Sequence, residues 1–129
     1  MAAIEIVSPS NKDRQDKRDI FTGKAAGLLQ QGVYVSVVDL VSVRQANLYA
    51  ELVAMYVGAD PRLADPPPHL YAATLRTIKP KRRSRLESWF LPMTVGQPPT
   101  IPIWLSETLR IELPLETSYE ETCRVLGIA

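Results

Sequence analysis

The chain has 129 residues, 46% hydrophobic and 22% charged, a composition that supports one globular core and excludes a disordered chain. Its 15 Lys and Arg against 14 Asp and Glu leave no broad field, so any nucleic-acid contact must come from a local basic patch. One cysteine (Cys123) and one histidine (His69) exclude an intrachain disulfide and a Cys/His zinc site, and the lone thiol fits a reducing cytoplasm.

Residues 2–8, A-A-I-E-I-V-S, read as a strand ended by Ser8-Pro9, and their near-continuous apolar character predicts cover on both faces. The apolar run, Ala2 to Val7, is only six residues long and contains Glu5, too short for a membrane span, so no membrane partner is expected. A helix is predicted from Asp13 to Gln31, capped by Asn11 or Asp13 and stopped at Gly32, with Ile20, Phe21, Ala25, Leu28 and Leu29 on its apolar face. Val33 to Val41 forms the next strand. Strand, helix and strand joined by short turns make a βαβ unit, which favours a parallel pair with a right-handed crossover.

Asn47 to Val57 reads as a short helix through Leu48, Leu52, Val53 and Tyr56, and an irregular segment follows to Pro68. His69, after Pro66-Pro67-Pro68, is the one residue through which a histidine-based triad would have to run; at a loop edge it reads as structural or solvated. His69–Ile78 and Arg85–Pro92 form a hairpin with the charged tip K-P-K-R-R-S between them. A proline-rich turn leads to strands at Ile103-Trp104-Leu105 and from Leu109, and Glu116 to Leu126 closes the chain as a helix. Tyr34, Tyr71 and Trp104 lie in apolar strands and read as core, as does Cys123 in the last helix.

Two residues break the apolar pattern where chemistry can enter. Glu5 sits mid-strand, and a carboxylate there must face solvent, pair with a lysine, or hold a metal. Lys24 falls inside the helical stripe between Ile20 and Phe21 or Leu28, with Lys17 nearly aligned seven residues earlier. The first helix of a βαβ unit packs back on its own strand, so Lys24 or Lys17 can point at Glu5. A metal-dependent phosphodiesterase uses such a pair: the carboxylate holds Mg2+ or Mn2+ and the lysine orients water or stabilises the phosphorane. A plain helix-edge lysine with its stem on the core fits the same spacing. The stretch from Arg76 to Arg85 holds six Lys or Arg in ten residues. Lys79, Lys81, Arg82, Arg83 and Arg85 can track DNA phosphates, with Trp89 as a stacking surface. They equally suit a solubilising tip that guards a strand edge.

The run I-E-I-V-S-P-S-N-K, the helix with Lys24, and G-V-Y-V-S-V-V-D-L resemble the bacterial domain of unknown function 4058 family. The likeness extends to H-L-Y-A-A-T-L, S-W-F-L-P, P-P-T-I-P-I and the terminal helix. The chain is also similar to the Uma-type restriction-endonuclease family, whose strand ends V-E-V-x-S-P-S. The resemblance implies an α/β fold of the restriction-endonuclease-like PD-(D/E)XK type: a mixed sheet with an N-terminal βαβ unit, later antiparallel strands and a C-terminal helix. Glu5 matches the second acid of that pattern. Val7 stands where its lysine belongs, and Lys24, eight residues before Gly32-Val33, matches the helix lysine of the Uma-like relatives.

The first acid would precede Glu5, so the implied domain lacks its first core elements, and residues 1–129 correspond to the C-terminal portion of a larger domain. The relatives also carry a Glu two residues before the Asp of the second strand, where this chain has Val37 before Asp39. A metal site built on Glu5 then needs Asp39 or a second chain. The expectation is a nuclease-like protein that is catalytically incomplete and contacts DNA. The alternatives are a protein-interaction module using the open sheet edge, and a homo-oligomer with a composite active site.

Overall fold

In the computed structural model, Ala2–Ile6 (β1) and Tyr34–Asp39 (β2) pair in parallel across the helix Gln15–Gln30 (α1), with Glu5 beside Val37. The structure describes residues 1–56, 58, 60–78, 85–93 and 100–127, without the side chains of 118, 119, 122 and 123. Tyr71–Ile78 (β3) runs antiparallel to β2, and Arg85–Pro92 (β4) antiparallel to β3, giving one mixed sheet in the order β1-β2-β3-β4. Thr100–Trp104 (β5) and Arg110–Pro114 (β6) form a separate antiparallel pair, followed by the helix Leu115–Leu126 (α3). The α/β class, the opening βαβ unit, the later antiparallel strands and the closing helix agree with expectation.

The two faces of the sheet make two cores. Alternation along the strands directs Val35, Val37, Asp39, Tyr71, Ala73 and Leu75 to one face. Phe21, Ala25 and Leu29 of α1 cover it, with Leu48, Tyr49 and Leu52 of a second helix, Leu48–Ala54 (α2). The opposite face packs Val38 and Ala72 against Ile101 and Ile103 of β5. There Thr74 donates its hydroxyl to the Pro102 carbonyl (2.7 Å), so Ser36 is the donor to Thr74 (2.9 Å) and neither hydroxyl is orphaned. With a layer on each side, all six residues of β2 are buried.

Local chemistry explains the element ends. Gly32, at φ 79°, follows α1 in the left-handed region; its N–H meets the Leu29 carbonyl and the Val33 N–H meets that of Leu28, a Schellman closure. Asn47 caps α2 by accepting from the Ala50 N–H (2.8 Å). The cap predicted for α1 lies elsewhere. Asn11 instead accepts from the backbone N–H and hydroxyl of Ser8, closing a 3-10 turn over Pro9–Lys12, and α1 starts at Gln15 without a side-chain cap.

Two packing expectations are corrected. Ile20 is exposed, because the buried stripe of α1 runs through Phe21, Thr22, Ala25, Ala26 and Leu29 and is centred about half a turn away. β1 is not covered on both faces: Ile4 and Ile6 are 47% and 63% exposed. Among the described residues the cluster between the β5–β6 pair and the sheet takes in Val38 and Ala72 with Ala2 of β1, while Ile4 and Ile6 stay exposed. Among the described residues no helix is long and apolar enough to cross a membrane.

Candidate functional site

Two lysine–carboxylate pairs occupy the α1 face of the sheet, and they differ in kind. The first joins Lys24 to Glu5, with Nζ 3.1 Å from Oε1. Glu5 shares its face with Val7 and Val37, and α1 lies above, so the helix lysine drops its ammonium onto the strand carboxylate. The Glu5 side chain is 22% exposed and that of Lys24 63% exposed, leaving the pair open to a ligand. Lys17, the alternative partner, is exposed, and Glu5 pairs with Lys24 rather than with it. Val7, where the usual lysine would stand, is buried in the core.

The second pair is closed. Lys12 places Nζ 2.9 Å from Asp39 Oδ2, with both side chains fully buried. The same ammonium donates to the carbonyls of Val41 (3.1 Å) and His69 (3.2 Å), while Asp39 Oδ1 accepts from the Val41 N–H (3.0 Å). Burial pushes the Asp39 carboxyl above its usual range, against the opposing pull of the Val41 N–H and of Lys12. Two carbonyls and the facing Asp39 carboxylate surround the Lys12 ammonium, the kind of compensation that keeps such a charge inside. Asp39 is thereby committed to joining β2, the 3-10 turn and the loop before β3.

The other site residues divide similarly. Lys79, Lys81, Arg82 and Arg83 lie outside the described residues. Arg85 is exposed and pairs with Glu87 (2.7 Å). Arg76, the first residue of the basic stretch, is buried and unable to meet DNA: its guanidinium stacks 3.8 Å from the Trp104 ring and 5.3 Å from that of Trp89. Trp89, expected as a free stacking surface, packs against Trp104 with ring centres 5.2 Å apart. His69 takes part through its backbone carbonyl, in keeping with a structural role.

A third cluster was not anticipated. Asp60 accepts from the Arg62 guanidinium (2.8 and 3.0 Å), the Arg62 N–H (2.9 Å) and the Tyr49 hydroxyl (2.8 Å), and Ser88 bonds both Tyr49 and Arg62. Arg62, partly offset by burial, holds the Asp60 carboxyl far below the usual range. A carboxyl depressed on folding adds stability above its unfolded value, near pH 4, and loses it as pH falls below that value. The urea midpoint of the wild type is therefore expected to drop between pH 6 and pH 3, and that of Asp60→Asn to drop less; equal drops would exclude Asp60 as a source. The cleft beside this cluster, about 400 Å³, is lined by Arg62, Ala64, Pro66, Pro68, Phe90 and Pro92 and does not include Glu5 or Lys24.

Comparison of the chain with protein-family models, with curated proteins and with solved structures finds no match. Within a single chain the residues fit a catalytic divalent-metal site poorly. Glu5 is a lone carboxylate already neutralised by Lys24, and Asp39 is spent on Lys12. Mg2+ ordinarily needs one or two free carboxylates together with substrate phosphates.

Proposed function

We propose that this chain is a restriction-endonuclease-like domain that contacts DNA and does not cut it alone. The observation that carries the reading is the division between the two pairs: Glu5 and Lys24 meet at an open strand position, while the other candidate acid, Asp39, is held in the core by Lys12. Lys24 would present its ammonium to a phosphate oxygen, and Glu5 keeps that ammonium aimed at the β1 surface. A divalent ion, where a second carboxylate is present, would supply the activated water. DNA contact is assigned to the tip residues Lys79, Lys81, Arg82, Arg83 and Arg85.

Binding of a labelled duplex, measured against salt, together with its integrity in Mg2+ or Mn2+, tests this reading. The duplex is expected to bind with an affinity that falls steeply with salt and to stay intact. Serine at the five tip positions should flatten the salt slope by about 4 to 5 units if each contacts one phosphate, at roughly 0.9 per contact on a duplex. Absent or salt-independent binding would exclude the DNA role. Dilute-chain cleavage abolished by Glu5→Gln and Lys24→Ala would show a complete enzyme instead.

A further inference from the structure

The open edge of β1 is a self-complementary surface. Tyr34 N–H bonds the Met1 carbonyl and Val7 N–H bonds the Val38 carbonyl, so the odd-numbered residues of this strand face β2. Ala2, Ile4 and Ile6 therefore turn their N–H and C=O groups outward, and among the described residues β1 pairs with β2 alone. Protein edges are usually blunted by lysine, proline or a bulge. This strand has none of these, and it exposes two isoleucines.

We infer that β1 pairs antiparallel with β1 of a second copy, centred on Ile4. In that register Ile4 faces Ile4 and Ala2 faces Ile6, and the three outward pairs exchange about six main-chain hydrogen bonds. The exposed isoleucines meet on one face and join two four-stranded sheets into one. On the other face each Glu5 lies opposite Ala3 of the second copy, so no like charges stand directly across. The two Glu5 residues occupy diagonal positions, about 7–8 Å apart. Each brings its own Lys24, which makes a neutral group of four charges. α1 packs mainly over β2 and β3 and reaches β1 through Lys24 at Glu5, and the outward-facing main-chain groups of β1 lie in the plane of the sheet, away from the helix.

Sedimentation of the full chain, without DNA, from roughly 5 µM to roughly 1 mM tests the association. The mass is expected to rise from 14.4 kDa towards twice that value. Ile4→Pro removes one outward N–H and no β1–β2 bond, and should remain monomeric throughout. Ile4→Lys, at an exposed position, sets two like charges directly opposite each other and gives the same result by repulsion if Ile4→Pro does not fold. Met55→Ser, at the exposed end of α2 outside β1, should associate like the wild type. A monomeric wild type at the highest concentration, or undiminished association of the folded edge variants, overturns the pairing.

Discussion

Lys12→Ala should cost about 3–5 kcal/mol of stability, because it leaves the fully buried Asp39 carboxylate without its cation. The loss has a second part: the carbonyls of Val41 and His69 give up their shared donor, and these carbonyls lie at the end of β2 and before β3. Arginine at this position should not rescue the fold, since its larger planar fork does not fit a site shaped for one ammonium with three acceptors. The double variant Lys12→Met, Asp39→Leu should recover more than half of the loss, since paired apolar groups replace a paired charge at little cost. Equilibrium urea unfolding of the singles and the double closes the cycle. Strictly additive losses would show that the two side chains do not act on each other.

Arg76→Ala should cost about 2–4 kcal/mol, combining a desolvated cation–π contact with the loss of a largely buried ion pair. Arg76 sits on β3 yet reaches three other elements. It stacks on Trp89 of β4 and Trp104 of β5, pairs with Glu87 of β4 (3.2 Å), and donates to the Glu107 carbonyl between β5 and β6 (2.8 Å). It therefore fastens the β5–β6 pair to the main sheet. Arg76→Lys should be almost as damaging, because an ammonium cannot lie flat on an indole while forking to Glu87 and Glu107. Tryptophan fluorescence should shift to the red in both variants as the rings gain water, and a loss below about 0.5 kcal/mol, typical of a surface substitution, would refute the fastening role.

The sequence made the elements legible wherever one physical pattern dominated. β4 spans Arg85–Pro92 as expected, the βαβ start follows from the short turns around α1, and Lys24 meets Glu5 because the first helix packs back on its own strand, although it stands at the exposed edge of α1 and not in its buried stripe. What escaped were features set by distant partners. Lys12 lies in a polar Ser-Pro-Ser-Asn turn that reads as solvated, and only the closure of that turn by Asn11 aims it at a residue 27 positions away. A signal for it existed: Asp39 ends an otherwise apolar strand buried on both faces, and such a carboxylate requires a cation. Arg76 looked like the first of six solvated basic residues. The paired tryptophans that claim it come from strands whose packing the local sequence does not specify. The open face of β1 was misjudged for a related reason, since strand composition does not reveal how far the covering β5–β6 pair extends.

The measurement that tests the central claim most directly compares Glu5→Gln with Asp39→Asn in equilibrium unfolding at neutral pH. Both substitutions are near-isosteric and remove one negative charge from a lysine pair on the same face of the same sheet. An open pair kept for function should contribute little to stability, about 1 kcal/mol or less, whereas the buried pair should contribute about 3 kcal/mol or more. The account predicts that Glu5→Gln leaves the unfolding midpoint nearly unchanged and that Asp39→Asn lowers it strongly. Equal losses, or a larger loss for Glu5→Gln, would contradict the division between an open Glu5–Lys24 site and a structural Lys12–Asp39 pair.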